Sequence, residues 1–138
     1  MVLSVTALYA SLLALLLVVL SAIVVRNRYR SKTALGDGND ERLQRAIRAH
    51  ANFIEYVPLT LILLLSAEWH RSPVYLLHVI GALLLVGRLF HALSLLVVEP
   101  KRGIILFRSA GMMLTFFALI IGALNGLMMA IGIFAANF

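Results

Sequence analysis

Long uncharged runs constrain this chain more than any other feature of its sequence. Neither the first segment, Met1–Val25, nor the last thirty residues, Ser109–Phe138, contains an Asp, Glu, Lys or Arg. Two more apolar runs, Ser72–Gly87 and Leu89–Val98, are separated only by Arg88. A helix that crosses about 30 Å of hydrocarbon needs about 20 mostly apolar residues. The chain is 62% hydrophobic and 13% charged, against about 45–50% and about 25% in soluble domains, so the surplus apolar surface has to face lipid.

These runs predict three membrane-spanning helices, and a further apolar stretch at about 46–68 predicts a fourth, all in a single domain that covers residues 1–138. One of the predicted helices carries Asn52 and Glu55 near its start, but it is otherwise apolar. No run alternates apolar and polar residues with a period of two, so helices are favoured over the strands of a barrel. We therefore expect an all-α transmembrane bundle with a loop over residues 26–45 and helices over about 3–25, 46–68, 74–97 and 108–134.

Basic residues concentrate on one side of the predicted membrane. Seven lie at residues 26–48, after the first uncharged run: Arg26, Arg28, Arg30, Lys32, Arg42, Arg45 and Arg48. Lys101 and Arg102 lie between the third and fourth helices, whereas the other side has only Arg71. Because positive loops stay cytoplasmic, both termini are expected outside the cytoplasm. The net charge of +6 is then explained by topology and by attraction to anionic lipid headgroups. No nucleic-acid partner is expected, because no basic face is interleaved with aromatic residues.

Polar side chains also occur within the predicted helices, where they are costly and therefore indicate a site. Three of them on the second helix are spaced i, i+4 and i+7, which puts them on one stripe of that helix. The pattern predicts a basic, polar chamber at the cytoplasmic end of the bundle, formed by Arg48, Asn52 and Glu55 of the second helix, Arg88 and His91 of the third, and Arg108 and Ser109 of the fourth.

Several of these polar groups also have a structural interpretation. Glu55 and Arg88 would satisfy each other as an internal ion pair, because an unpaired charge at that depth costs several kcal/mol. His91 would serve equally as a hydrogen-bond partner between helices, and Arg26 as an anchor at the membrane interface. From these residues alone, both interpretations stay open. No His, Asp and Glu residues have the spacing of a metal site and the chain has no cysteine, so neither a metal nor a protein thiol is expected.

The composition of the chamber suits a small ligand that carries carboxylates and an ammonium group. Arginine binds carboxylates in a bidentate manner, and Glu55 would accept the amine. Glutathione has two carboxylates, one amine and one thiol, and an arginine beside that thiol would favour the reactive thiolate. Glutathione is therefore one ligand that fits, although the residue chemistry does not select it alone.

A motif on the second helix resembles that of a known family. Residues 41–58 contain the core Arg-Ala-His-x-Asn-x-x-Glu, followed by a proline three residues later. This segment resembles the signature of the MAPEG family, the membrane-associated proteins of eicosanoid and glutathione metabolism. Gly87–His91 is similar to the family's motif on helix 3, and Phe107–Ser109 to the start of its helix 4. The resemblance covers nearly the whole chain and is closest to short bacterial members. It implies a four-helix bundle assembled as a homotrimer in the bacterial inner membrane, with glutathione bound between neighbouring subunits.

The resemblance also implies roles for residues at matching positions. Arg108 would stabilise the glutathione thiolate, with Ser109 as a second candidate beside the sulfur. Arg88 would lie within the bundle and pair with Glu55. Five residues would hold the backbone and termini of glutathione: Arg26, Arg48, Asn52, Glu55 and His91.

The function that the resemblance implies is that of a membrane glutathione transferase or peroxidase. Its second substrate would be a small hydrophobic electrophile or a lipid hydroperoxide that arrives from the bilayer. Ala51 stands where family enzymes often carry an arginine, and Leu95 and Met112 stand where they carry tyrosines that contact glutathione. The alternative is a non-catalytic protein that binds lipid or another ligand, since the family includes such a member. A small four-helix transporter is disfavoured because Met1–Val25 contains no acidic residue.

Overall fold

The chain folds into helices joined by short connections. The structure, a computed structural model, describes residues 4–102 and 105–137, so residue 3, where the first predicted helix begins, lies outside the described residues. The elements are α1 (Ser4–Ser31), α2 (Glu41–Trp69), α3 (Val74–Leu93), a π-helical segment (Ser94–Val98), α4 (Glu99–Arg102) and α5 (Leu106–Asn137). Among the described residues, four stretches are long and apolar enough to cross a membrane: Ser4–Ser31, Glu41–Trp69, Val74–Arg102 and Leu106–Ala135. The prediction of an all-helical chain with four such helices is confirmed.

The helices extend further at one end of the bundle than the apolar runs predict. α1 continues to Ser31, and α2 begins at Glu41. Asp40 caps α2, because its side chain accepts hydrogen bonds from two backbone N–H groups of the first turn at 2.8 and 2.9 Å. The Arg28 guanidinium donates to two carbonyl oxygens of the following loop at 3.0 and 3.1 Å. Much of the segment predicted as a loop, 26–45, is therefore helical. The end at which α1 ends and α2 begins carries most of the arginines and is named the basic end.

α2 and α3 pack against each other and lie between the other two long helices. α1 and α5 each pack against both members of this pair, while the described parts of α1 and α5 share no contact. The core between the helices is apolar, and its side chains that are at most 1% exposed include Leu13, Leu64, Ile80, Leu84 and Ala118. Large apolar side chains also remain exposed along α1 and α5. Apolar surfaces of this extent are unusual in water, and they suit contact with lipid.

α3 and α5 approach each other closely at a pair of glycines. A Cβ atom added at Gly87 would lie 2.8 Å from the carbonyl oxygen of Gly111. One added at Gly111 would lie 2.6 Å from the carbonyl oxygen of Gly87 and 2.7 Å from the backbone nitrogen of His91. Backbone atoms cannot move aside as a flexible side chain does, so this crossing requires small residues. The crossing holds Arg88 and His91 of α3 against α5.

A buried carboxylate joins α1 to α2 at the opposite end of the bundle. Glu68 is 7% exposed and accepts hydrogen bonds from the backbone N–H groups of Val5 at 2.9 Å and Thr6 at 2.7 Å. The first N–H groups of a helix have no partner within the helix, and a negative charge is favourable beside them. No sequence pattern indicates this contact, which fixes the start of α1 far from the basic end.

Candidate functional site

A cleft of about 600 Å³ opens at the basic end of the bundle, between α2, the end of α3 and the start of α5. Five of the eight predicted site residues line it, together with Leu95 and Met112. The structure thus brings together side chains from three parts of the sequence. The lining residues are Arg48, Asn52, His91, Leu95, Arg108, Ser109 and Met112.

The cleft is basic where it is exposed and polar where it is buried. Arg48 is exposed, and the Arg108 side chain is 40% exposed. Asn52 and His91 are only 8% and 6% exposed. Arg48 and Asn52 are spaced i and i+4, so they lie one above the other on the same face of α2. The buried side chains of Asn52 and His91 form the floor of the cleft. Two guanidinium groups above this polar floor can bind an anion by charge-assisted hydrogen bonds.

Arg88 lies behind the floor of the cleft and does not line it. Its side chain is 2% exposed. It donates hydrogen bonds to Oδ1 of Asn52, to Oγ1 of Thr115 at 2.6 and 3.0 Å, and to the carbonyl oxygen of Gly111 at 3.4 Å. The guanidinium carbon also lies 5.5 Å from the centre of the Tyr56 ring, within the range of a cation–π contact. A buried guanidinium is tolerated only where its donors find partners, and these partners join α2, α3 and α5.

The predicted ion pair between Arg88 and Glu55 is not formed. Neither of the two ion pairs in the described residues includes Glu55. Instead Asn52 links the two residues, since it accepts a hydrogen bond from Arg88 and its Nδ2 donates to Glu55 at 3.5 Å. Glu55 is exposed and is not a lining residue of the cleft. The expectation was wrong because spacing gives the angle between residues on a helix but not which of them turns towards the neighbouring helix.

Arg26, which the resemblance assigns to the ligand from the first helix, is exposed and is not a lining residue of the cleft. It belongs to α1, which packs against α2 and α3 but has no contact with the described part of α5. Arg108 and Ser109 lie at the start of α5. A single chain therefore does not bring Arg26 to these residues.

Glu99 belongs to the surroundings of the cleft, although no motif predicts it. Its Oε2 accepts a hydrogen bond from Nη1 of Arg108 at 3.1 Å, and its Oε1 accepts one from the hydroxyl of Ser94 at 3.0 Å. In the sequence, Glu99 only marks the end of the uncharged run Leu89–Val98. The one available signal is that a lone carboxylate stands beside Pro100, a residue that disturbs helices.

The side chains of the cleft offer cations, hydrogen-bond donors and acceptors. Arg48 and Arg108 are suited to carboxylate or thiolate groups, and Asn52 can donate as well as accept. Within residues 4–102 and 105–137, no group of three or more His, Asp or Glu side chains is placed to hold a metal ion.

Comparison with known proteins identifies the family of this chain. The model of the MAPEG family matches residues 6–128, which include every residue that lines the cleft. The chain belongs to the MAPEG family. The resemblance seen in the motif on α2 is therefore confirmed, and this member of the MAPEG family is a membrane protein with four helices able to span a bilayer.

Two curated relatives of this MAPEG chain carry the same name. Inner membrane protein YecN of Escherichia coli (strain K12) is 39% identical over 123 residues, which are 89% of this chain and 90% of that protein. Inner membrane protein YecN of Escherichia coli O6:H1 (strain CFT073) is identical to the same extent over the same share of each chain. The similarity thus extends over most of both proteins and includes the region of the cleft.

Proposed function

We propose that this MAPEG protein is an integral inner-membrane enzyme that uses glutathione against hydrophobic electrophiles or lipid hydroperoxides. The observation that carries the proposal is the cleft, with Arg48 and Arg108 at its exposed part and Asn52 and His91 at its buried part. The family includes glutathione-dependent enzymes, and the two relatives are named as inner membrane proteins. With both termini outside the cytoplasm, the basic end would face the cytoplasm. Glutathione would enter from there, and the hydrophobic substrate would enter from the lipid.

Each polar residue of the cleft has a role in the proposed reaction. Arg48 and Asn52 bind the carboxylates and backbone of glutathione, and His91 completes the polar floor. Arg108 stabilises the thiolate, and Ser109 donates a hydrogen bond to the same sulfur. In the transferase reaction, the sulfur forms a bond to the electrophilic carbon as the leaving group departs with its electron pair. In the peroxidase reaction, the sulfur attacks a peroxide oxygen, the O–O bond breaks, and the alkoxide leaves and is protonated to the alcohol. A second glutathione then reduces the resulting sulfenic acid to give glutathione disulfide and water.

A homotrimer would account for two charged residues that a single chain leaves exposed. Glu55 is exposed although it lies within an apolar helix, and a charged side chain that faces lipid is costly. Arg26 is exposed on α1, which has no contact with the described part of α5. If α1 of one copy packs beside α5 of the next, Arg26 would lie near a neighbouring cleft, and a subunit interface that includes the exposed face of α2 would remove Glu55 from lipid. Because the resemblance to MAPEG proteins implies three copies, we extend the proposal to a homotrimer that binds glutathione between its subunits.

The variant Arg108→Ala tests the proposed function. Loss of the guanidinium is expected to lower the rate of glutathione conjugation to a generic electrophile by about 100-fold or more, because a preorganised charge beside the reacting atom is lost. Arg102→Ala is the matched control, since Arg102 is exposed on α4 and does not line the cleft. The rates are measured on purified protein, and assembly is checked by size. Conjugation that survives Arg108→Ala unchanged contradicts the proposed role.

One observation favours the alternative, a non-catalytic protein that binds lipid or another ligand. Leu95 and Met112 line the cleft at positions where family enzymes carry tyrosines that contact glutathione. Ala51 stands where those enzymes often carry an arginine. Calorimetry distinguishes the two functions: failure to bind glutathione at millimolar concentration, together with lipid retained through purification, supports the alternative.

A further inference from the structure

The π-helical segment (Ser94–Val98) has a cause in the sequence. Pro100 lacks a backbone N–H, and in a regular α-helix its ring would collide with the carbonyl group of Leu96, four residues earlier. The backbone widens instead into one turn of π-helix, in which the N–H of Glu99 donates to the carbonyl oxygen of Ser94. Pro100 thus changes the angle between successive side chains of the helix beside the cleft.

The widened turn aligns two side chains that a regular α-helix would separate. Residues five apart in an α-helix differ in direction by about 140°, whereas a π-helix forms its hydrogen bonds between such residues. Ser94 is fully buried, and its hydroxyl donates to Oε1 of Glu99 at 3.0 Å. Oε2 of the same carboxylate accepts from Nη1 of Arg108 at 3.1 Å. The Glu99 carboxylate therefore accepts from Ser94 through one oxygen and from Arg108 through the other.

This ion pair differs from an ordinary surface pair. The Glu99 side chain is only 11% exposed. In the other ion pair of the described residues, Glu41 with Arg45 at 3.3 Å, the Glu41 side chain is 82% exposed. Exposed pairs contribute little, because water screens the charges and both side chains stay mobile. A partly buried, charge-assisted hydrogen bond is stronger, so Glu99 restricts the flexible side chain of Arg108.

We propose that Glu99 is a positioning residue that holds the guanidinium of Arg108 in the cleft, where it meets the thiol of a ligand. Glu99 is not itself a lining residue of the cleft, so it acts on the ligand through Arg108. Ser94 supports Glu99 by a hydrogen bond, and Pro100 shapes the turn that makes this bond possible. This role rests on the proposed function for the identity of the ligand, but the orientation of Arg108 can be tested without glutathione.

A thiol placed in the cleft would report the orientation of Arg108. The chain has no cysteine, so Ser109→Cys introduces a single thiol at an exposed position of the cleft. The rate of its alkylation at neutral pH follows its thiolate fraction, which a guanidinium nearby raises. The rate is compared for purified protein with Ser109→Cys alone and with this change combined with Glu99→Leu, Glu99→Gln or, as a control, Glu41→Gln.

Glu99→Leu removes the acceptor, and the alkylation rate is expected to fall about tenfold because Arg108 is no longer held at the cleft that residue 109 also lines. Glu99→Gln keeps an acceptor of the same shape, so the rate is expected within about threefold of the parent. Glu41→Gln is expected to leave the rate unchanged. If Glu99 were only a counter-ion without a positioning role, the alkylation rate would rise in both Glu99 variants, because the loss of a nearby negative charge favours the thiolate. A rise of the alkylation rate in both Glu99 variants overturns the proposal. An unchanged rate in Glu99→Leu, or an equal fall of the rate in both variants, also overturns it.

Kinetics then separate this role from the proposed function. In the conjugation assay, Glu99→Leu is expected to lower kcat about tenfold and to keep KM for glutathione within about threefold, since Arg48 and Asn52 bind the rest of the ligand. A parent protein that binds no glutathione contradicts the proposed function alone, because the alkylation result does not depend on glutathione. Alkylation that does not respond to Glu99→Leu contradicts the positioning role alone.

Discussion

Arg88 shows at the scale of one residue how a buried cation can organise a site that it does not line. Its guanidinium is 2% exposed and has neutral oxygen partners on Asn52, Thr115 and Gly111. The planar group presents five donors in a fixed geometry, so it can reach α2 and α5 at once. The position of Asn52 in the floor of the cleft therefore depends on Arg88.

Arg88→Lys is expected to lower the free energy of unfolding by about 2–4 kcal/mol, because lysine cannot satisfy these separated acceptors together and each buried acceptor left alone costs about 1–3 kcal/mol. Unfolding in detergent with increasing denaturant measures the change. Arg42→Lys is the control, since Arg42 is exposed. Equal stability of the two variants would show that Arg88 does not join the helices.

Spacing along the sequence predicts some neighbours in the site but not others. The i, i+4 relation puts Arg48 and Asn52 on one face of α2, and both line the cleft. It does not show that Asn52 gives its oxygen to Arg88 while Glu55 turns outwards. Those outcomes depend on how α2 is rotated against α3 and α5, which is a property of packing between distant segments.

At the scale of helices, the sequence predicts what depends on local length and hydrophobicity. The four apolar stretches at about 3–25, 46–68, 74–97 and 108–134 suffice to predict four spanning helices, because each stretch is long enough to cross hydrocarbon by itself. The π-helical segment (Ser94–Val98) is not predicted in this way, although Pro100 explains it afterwards. A proline can also end or bend a helix, so its presence alone does not predict a π-helical turn. In this turn Ser94 also donates a hydrogen bond to Glu99, which the sequence does not indicate.

The crossing of α3 and α5 gives a prediction about whole helices. Gly111→Ala is expected to lower the free energy of unfolding by about 1–3 kcal/mol, because the added Cβ overpacks the contact with backbone atoms of Gly87 and His91. Gly126→Ala is the matched control on the same helix, since a Cβ there meets no described atom within 4 Å. That control is expected to gain about 0.5–1 kcal/mol from helix propensity. A loss of similar size in both variants would contradict a tight glycine crossing.

At the scale of the whole molecule, the chain combines exposed apolar helices with a basic cleft at one end. The uncharged runs explain the apolar surface, and the MAPEG motif on α2 contributes Arg48 and Asn52 to the cleft. A single chain leaves Arg26 and Glu55 outside the cleft. No pattern within one sequence can show which surface of a neighbouring copy covers them, because that depends on the assembly.

Cross-linking in the native membrane tests the proposed homotrimer. The chain has no cysteine, so the double variant Arg26→Cys with Ser109→Cys carries only two thiols, one on α1 and one on α5. Because the described parts of these helices share no contact within one chain, a short bifunctional thiol reagent is expected to join different copies and to give covalent dimers and trimers but no larger species. Arg71→Cys with Ser109→Cys is the control, since Arg71 follows α2 at the opposite end of the bundle and should not reach a neighbouring cleft. If the first pair gives only monomers, or both pairs cross-link equally, α1 of a neighbouring subunit does not complete the cleft.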